Sequence, residues 1–195
     1  MKDITYKVTF FSEWHCGSGL SSGSDLDALV IKDEDGFPFI PGKTLKGLLK
    51  EAAEEMLKIQ DKEPKQEQFV TEFFGFFDEE NIKDTRIHTK GNAFFTNATF
   101  SNGLKSKVSK ELTEFLYRDM ASTAIGKNGI AIESSLRKME STIPCELIAN
   151  IYGVDETYTA QITQCMQWIK RMGQNRHRGL GRCQLQIIET KEAQL

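Results

Sequence analysis

Apolar and polar residues alternate from the start of the chain. Every second position is apolar, with threonine or lysine between, and the apolar residues are Ile4, Tyr6, Val8 and Phe10. Successive side chains of a β-strand point to opposite faces of a sheet. The pattern therefore predicts a strand over residues 4–11 with one face buried.

The same alternation returns later in the chain, and two longer segments change to helical spacing. After Thr44, leucine, alanine and methionine recur every three or four residues, which is typical of an amphipathic helix, here begun by Pro41 and Gly42. The predicted strands are 4–11, 92–100, 145–152 and 183–188. The predicted helices are 44–60 and 157–172, the second ended by Gly173.

In chain order these elements are strand, helix, strand, strand, helix, strand. That order predicts an α+β fold with a ferredoxin-like (RRM-like) βαββαβ core and both helices on one face of the sheet. The length of 195 residues and the hydrophobic fraction of 39% suit a single domain, 1–195. Two insertions exceed what the core needs, 13–39 and 101–141, and insertions of this length are usually functional or disordered.

Charge is distributed unevenly along the chain. The formal net charge of −3 argues against general nucleic-acid binding. Yet no acidic residue occurs between Gly36 and Lys50, and none between Glu156 and Glu189. The second window contains Lys170, Arg171, Arg176, Arg178 and Arg182. Two basic segments are therefore present in an otherwise acidic protein.

The cysteines and the apolar runs exclude several classes of protein. Cys16, Cys145, Cys165 and Cys183 form no CxxC pair, which argues against a zinc knuckle and a disulfide framework, so we expect reduced thiols. No apolar run approaches the roughly 18 residues of a membrane span, and the first residues do not have the pattern of a signal peptide. We therefore expect a cytoplasmic protein with no membrane partner.

The first basic segment is the start of the predicted helix 44–60. Lys43, Lys46 and Lys50 fall within one narrow sector of a helix, which we call the lysine face. Thr44 and Gly47 lie beside them, and a helix N-terminus attracts phosphate. The alternative is a solvated lysine surface. The spacing of a P-loop is absent, which argues against nucleotide hydrolysis.

The second basic segment is the arginine loop, residues 174–182. Its guanidinium groups suit phosphate, and its glycines allow close approach of a ligand to the backbone. The candidate RNA-binding residues are Arg176, His177, Arg178, Gly179, Gly181 and Arg182. A plain glycine-rich turn is the alternative. Because both basic segments are expected on comparable sides of the sheet, one RNA backbone could run past both.

The insertion 13–39 carries candidate chemistry. Asp25 and Asp27 follow a glycine and serine loop, where they are metal-ligand candidates or simple turn formers. His15 fits either a polar strand end or an acid–base group. Paired with His177, it would provide RNA cleavage without metal, although the sequence does not bring the two together.

Four motifs occur in order along the chain. Residues 27–33 read DALVIKD, residues 36–47 read GFPFIPGKTLKG, residues 134–144 read SSLRKMESTIP, and residues 178–182 read RGLGR. In this combination the chain closely resembles the RAMP superfamily, and more narrowly the repeating backbone subunit of type III CRISPR effector complexes. The resemblance extends from end to end of the chain.

The resemblance implies a crRNA-binding subunit with an RRM-like core and a thumb-like hairpin in the insertion 101–141. Asp27 matches the aspartate that, in catalytic members, supports cleavage of target RNA by a divalent metal, Mg²⁺ or Mn²⁺. It would be the catalytic residue and metal ligand of an endoribonuclease. The further RNA-binding residues are His15, Gly17, Ser18, Arg137 and Lys138.

The implied partners are crRNA, target RNA, other subunits of a type III complex and possibly further copies of this chain. Two alternatives remain within the resemblance. One is a purely structural crRNA-binding subunit of the same complex, and Asp27 favours the catalytic subunit over it. The other is the guide-processing nuclease of the superfamily, which uses histidine without metal, and the PGKTLKG segment argues against it.

Overall fold

The computed structural model describes residues 1–23, 25–59, 64–76 and 89–193. The strands are β1 (Lys2–Phe10), β2 (Gly75–Phe76), β3 (Thr89–Lys90), β4 (Phe94–Phe95), β5 (Tyr117–Ser122), β6 (Arg137–Thr142), β7 (Glu146–Val154) and β8 (Cys183–Glu192). The α-helices are α1 (Gly42–Ile59), α2 (Pro64–Phe69), α3 (Asn102–Lys105) and α4 (Thr159–Trp168). A π-helical turn follows α2 at Val70–Phe74, and 3₁₀ turns occur at Lys110–Leu116, Glu156–Tyr158 and Arg176–Arg178. Gln60, the last residue of the predicted first helix, lies outside the described residues.

The main sheet has four strands in the order β4-β7-β1-β8. All neighbouring pairs are antiparallel, and β1 is bonded on both sides. The helix α1 connects the first two of these strands in the chain, and α4 connects the last two. This is the βαββαβ order and strand arrangement of a ferredoxin-like sheet, so the predicted fold class is confirmed.

One hydrophobic core lies between the sheet and its helices. The inward residues of β1, among them Ile4, Tyr6 and Val8, are fully buried, and Leu45 and Leu49 of α1 pack in the same cluster. Burying each side chain of this size contributes about 1.5–3 kcal/mol relative to exposure. The period-two pattern of β1 therefore identified the buried face correctly.

The predicted strand 92–100 is only partly regular. Its ladder with β7 is limited to Phe94 and Phe95, followed by single bridges at Ala98 and Thr99. An incompletely alternating sequence cannot keep one face buried throughout a continuous strand. The segment therefore follows the sheet edge with interruptions.

The predicted helix 157–172 ends early. Its α-helical part stops at Trp168, and Ile169 adopts extended angles (φ −73°, ψ 109°). The next residues pair with the start of β8 and the two residues before it, because Cys183 N donates to Lys170 O at 2.9 Å and Met172 N donates to Gly181 O at 3.0 Å. Competition from this pairing explains the shorter helix.

Gly173 is not the helix cap that the sequence predicts. Its φ of 90° lies in the left-handed region, and a Cβ there would lie 2.4 Å from the carbonyl oxygen of His15. The next residue, Gln174, donates its N–H to that same oxygen at 3.0 Å. The glycine is therefore needed for close packing of the arginine loop on the insertion 13–39.

An antiparallel hairpin of β5 and β6, residues 117–142, begins within the insertion 101–141 and ends one residue beyond it, and we call it the thumb hairpin. Its base is anchored by Glu140, Ser141 and Thr142, which are buried. Its tip presents large apolar side chains to solvent, at Ile125, Ile130, Ile132 and Leu136. The two ends of the hairpin therefore differ in burial.

All four cysteines are free, and none is exposed. Burial raises the pKa of Cys16 to about 11 and that of Cys145 to about 12. It likewise raises the pKa values of Cys165 and Cys183 to about 12. Among the described helices, none has the length and apolar character needed to cross a membrane.

Candidate nucleic-acid interface

The insertion 13–39, which we call the Asp27 loop, runs beside the base of the thumb hairpin. The N–H of Asp27 donates to Lys138 O at 2.8 Å, and the N–H of Glu140 donates to Ala28 O at 2.9 Å. The loop is thus bonded to β6 on both sides of residue 28. This pairing fixes the backbone position of Asp27.

The Asp27 carboxylate is anchored by one oxygen and open at the other. Its Oδ2 accepts a bond of 2.8 Å from the N–H of Lys138. Its Oδ1 lies 3.8 Å from Nη1 of Arg137. The Asp27 side chain is 49% exposed and the Arg137 side chain is 76% exposed. An exposed pair at this distance is weak. A ligand that binds Oδ1 of Asp27 can therefore displace the guanidinium of Arg137.

Asp27 borders a cleft of about 320 Å³. The other lining residues include Gly17, Gly19 and Ser21 of the Asp27 loop and Gln174 of the arginine loop. Ser18 does not line it; its hydroxyl donates to Leu29 O at 3.0 Å and so shapes the loop. The cleft therefore extends from Asp27 to Gln174, the first residue of the arginine loop.

His15 lies in the interior, with 1% of its surface exposed. Its Nδ1 donates to the carbonyl oxygen of Glu140 at 2.6 Å, because a carbonyl can only accept. A Cβ at Gly17 would lie 3.1 Å from its Nε2, so the Gly17 backbone packs closely on the ring. His15 therefore supports the wall of the cleft from behind. His177 lines a different cleft, beside α1.

Glu140 organises the base of the thumb hairpin. It is 7% exposed. One carboxylate oxygen accepts from the N–H of Val30 at 3.0 Å, and the other accepts from Lys32 Nζ at 2.7 Å. A buried carboxylate is tolerated when it is paired and hydrogen-bonded in this way. Lys32 also lies 3.8 Å from the ring centroid of Tyr117. These contacts hold the Asp27 loop in register with β6.

The three residues of the lysine face, Lys43, Lys46 and Lys50, all lie in α1, and Lys90 of β3 is near Lys46. Burial, followed by the charges of Lys50 and Lys90, lowers the pKa of Lys46 from its ordinary value. Lys50 Nζ donates to Gly75 O at 3.1 Å, and Gly75 pairs with Lys90 across β2 and β3. The ammonium groups of Lys46, Lys50 and Lys90 therefore share one region, in which Glu54 Oε1 lies 3.8 Å from Lys50 Nζ.

The N-terminus of α1 offers less backbone polarity than the sequence suggests. The N–H of Gly42 donates to Asn97 Oδ1 at 2.9 Å, and the N–H groups of Thr44 and Leu45 donate to Pro41 O. A Cβ at Gly42 would lie 2.3 Å from Phe95 O, so this helix end sits directly on the sheet. Attraction for phosphate therefore depends on the lysine side chains.

The arginine loop has a constrained backbone. Gly181 has a φ of 68°, and a Cβ there would lie 1.8 Å from Met172 O. Its N–H donates to Glu13 O at 2.7 Å, at the start of the Asp27 loop. Gly179 has a φ of 97° with open space around it. Gly181 is thus required for packing, and Gly179 for the turn.

The two basic segments face different sides of α1. Arg176 and His177 line a cleft of about 270 Å³ together with Glu51 and Glu55. Glu55 is nine residues from Lys46, which is about 180° around an α-helix. Lys46 and this part of the arginine loop therefore lie on different sides of α1, and the expectation that one RNA backbone runs past both segments stays a prediction. The arginine loop meets the Asp27 loop instead.

Comparison with known families decides the identity of the chain. The sequence model of the RAMP superfamily matches residues 7–138. The chain belongs to the RAMP superfamily. The matched part of this RAMP protein includes the Asp27 loop, the lysine face and most of the thumb hairpin. The comparison with curated proteins gave no match.

Two solved structures share the fold of this RAMP protein. A chain of the Type III-B Cmr-beta bound to cognate target RNA, determined by cryo-EM, aligns with a TM-score of 0.66 and 12% identity over 95% of this chain and 96% of that one. A chain of the Type III-B Cmr-beta in the apo state aligns with a TM-score of 0.64 and 13% identity over 96% and 97%. At these identities the similarity shows the fold alone.

The surroundings of Asp27 fit a metal ion that the protein would hold jointly with a phosphate. Within the described ranges, no group of three or more His, Cys, Asp or Glu side chains could hold a metal by itself. Mg²⁺ commonly takes one or two carboxylates and completes its shell with substrate phosphates and water. The Oδ1 of Asp27 receives no backbone bond and can be one such ligand.

Three residues near these sites were not identified from the sequence. Glu140 was noticed only as part of a motif, Gln174 only as part of a loop, and Lys90 stands alone in the sequence. The one available signal was for Glu140, an acid inside an otherwise uncharged run before Pro144. Lys90 joins the lysine face only through the pairing of β2 with β3.

Proposed function

We propose that this RAMP protein is a crRNA-binding backbone subunit of a type III CRISPR effector complex and cleaves guide-complementary target RNA. The proposal rests above all on Asp27, a half-exposed carboxylate fixed on the base of the thumb hairpin at the mouth of a cleft. The shared fold with chains of the Type III-B Cmr-beta supports it. The partners would be crRNA, target RNA and neighbouring subunits, including further copies of this chain.

Binding would be carried by the basic side chains. Lys46, Lys50 and Lys90 would contact phosphates on one side of α1, and Arg178 and Arg182 of the arginine loop would contact others. Arg137 and Lys138, both on β6, lie beside Asp27. Because these contacts are to the backbone, they would serve any guide sequence.

Cleavage would depend on Asp27. A divalent metal bound there would stabilise the charge that develops on the scissile phosphate. The backbone bond from Lys138 to Oδ2 would keep the carboxylate oriented, and Oδ1 would face the ligand. Arg137 would exchange its weak contact with Asp27 for one with a phosphate.

A structural, non-catalytic role in the same complex is the second candidate. Its support is that, within the described residues, no group of three or more His, Cys, Asp or Glu side chains forms a protein-only metal site. Under this alternative, the Asp27–Lys138 bond would serve only to attach the loop to the thumb hairpin.

Substitutions of Asp27 in the guide-loaded complex distinguish the two roles. Asp27→Asn keeps an oxygen that can accept from Lys138 but removes the charge, and Asp27→Ala removes both. We expect either variant to bind complementary RNA as wild type does and to lose cleavage by roughly a hundredfold or more. Denaturing gels of labelled target RNA, with and without EDTA, measure this at matched occupancy.

Asp25→Asn is the matched control, since Asp25 lies on the same loop and does not line the Asp27 cleft. It should cleave like wild type. Evenly spaced fragments of undiminished intensity from Asp27→Asn would reject the catalytic role and favour the structural subunit. Failure of the wild-type complex to retain complementary RNA would reject both.

A further inference from the structure

A second groove, of about 520 Å³, lies on the far side of the arginine loop, between the end of β1, the end of α4 and the start of β8. Its apolar lining is Phe11, Met166, Ile169 and Leu185. Its cations are Lys170, Arg171 and Arg182. The proposed function does not use Phe11, Lys170 or Arg171.

The charge of this groove has one sign. Its lining residues include no carboxylate, in contrast to the cleft beside α1, which contains Glu51 and Glu55. Three cations around an apolar floor, in a protein of net charge −3, form a local positive region. Such a region attracts an anion that also has an apolar part.

Phe11 supplies a stacking surface. The ring is 48% exposed, directly after β1. Its N–H donates to Arg182 O at 2.8 Å, and the Arg182 guanidinium lies 5.6 Å from the ring centroid. The phenylalanine and the arginine are thus held side by side. Exposed aromatic rings beside arginine are the surfaces on which single-stranded bases stack.

We propose that this groove binds one nucleotide of a single-stranded RNA, with the base on Phe11 and the adjoining phosphate among Lys170, Arg171 and Arg182. The inference deepens the proposed function and rests on it. A nucleotide fits better than an acidic peptide, because the flat phenylalanine–arginine pair offers a planar face in addition to charge. The cations also continue into the arginine loop, where Arg171 Nη1 donates to Arg176 O at 3.1 Å, as a polyanion requires.

The test separates the base from the phosphate. Phe11→Leu keeps an apolar side chain but removes the stacking face, and Phe94→Leu is its control, an exposed phenylalanine at the opposite edge of the sheet. Binding of the full-length chain to a labelled single-stranded RNA is measured over a range of salt. We expect Phe11→Leu to weaken binding about fivefold to a hundredfold without changing the salt slope. Phe94→Leu should have no effect.

Substitution of the cations should give the opposite signature. Arg182→Gln or Lys170→Gln should reduce the salt slope by about 0.7 each. A series of RNAs with single abasic positions should remove the effect of Phe11→Leu when the missing base is the stacked one.

Equal loss for Phe11→Leu on every abasic RNA, or no loss on normal RNA, would overturn the inference while leaving RNA binding itself intact. If the groove is instead occupied by a glutamate-rich peptide that does not compete with RNA, the nucleotide site is likewise rejected. Absence of any salt-dependent RNA binding by the wild-type chain would reject both the inference and the proposed function.

Discussion

The lysine face of α1 and the arginine loop have the same sign of charge but different construction. The lysine face lies on an ordinary helix, with Gly47 in open space. The arginine loop is closed against its neighbours, with Gly181 pressed on Met172 and bonded to Glu13. The comparison teaches that two clusters of cations that look alike in sequence can differ in structure. One can lie on a surface that accepts substitution, and the other can be held in place by close packing.

Two glycine substitutions should give the largest contrast between the regions. Gly181→Ala places a Cβ where 1.8 Å separates it from Met172 O, at a φ of 68°. We expect it to lower the free energy of unfolding by about 3–5 kcal/mol. Gly47→Ala should instead raise it by about 0.5–1 kcal/mol, because alanine favours a helix interior. Urea denaturation of the full-length chain measures both, and equal effects would contradict the comparison.

Double substitutions should show whether the two basic regions act independently in RNA binding. Lys46→Ala and Arg178→Ala should each weaken binding for every RNA sequence and reduce the salt slope by about 0.7. Because the two face different sides of α1, their effects should add within about 0.5 kcal/mol. Lys46→Ala with Lys90→Ala should be non-additive, since these charges interact. Fluorescence anisotropy at several salt concentrations measures the three single and two double variants. Strong coupling between Lys46 and Arg178, or a loss limited to one RNA sequence, would mean that the two regions share one surface after all.

The smallest effect concerns the protonation of Lys46. Burial and then the charges of Lys50 and Lys90 lower the pKa of this side chain, so as pH rises it loses its proton before an ordinary lysine does. A lowered lysine pKa means that the unfolded chain binds more protons, so this group opposes folding at neutral pH and the penalty fades as pH rises toward 10.5. Lys90→Gln should raise the pKa of Lys46, as followed by NMR of ¹³C-methylated lysines. An unchanged Lys46 titration in this variant would remove Lys90 from the lysine face.

Most of the core could be predicted because its signals are local. The alternation in β1 and the helical period of α1 reflect burial of one face, which each element encodes by itself. The end of α4 could not be read in this way, since Ile169 and Met172 keep a helical apolar spacing but residues 170–172 pair with residues 181–183. That competing partner lies nine or more residues ahead and leaves no mark on the helix sequence.

The candidate site was predictable only in its chemistry. The sequence shows Asp27 and the cations, but tertiary pairing decides which of them meet. His15 illustrates the difference: a polar residue at a strand end usually faces water, yet here Gly173 and Gly17 pack against it and leave it 1% exposed. The separation of the two basic segments likewise depends on which face of α1 packs against the sheet.

The four cysteines, none of which is exposed, can report on opening of the fold. A thiol reacts with alkylating agents as the thiolate, and a pKa of about 11 for Cys16 and about 12 for Cys183 leaves very little thiolate at neutral pH. Cys16 lies in the Asp27 loop, whereas Cys165 and Cys183 lie in the core, so mass spectrometry of iodoacetamide-treated protein reports separately on loop release and on global unfolding. The natural chain therefore needs no added probe to show which part of the molecule loosens first.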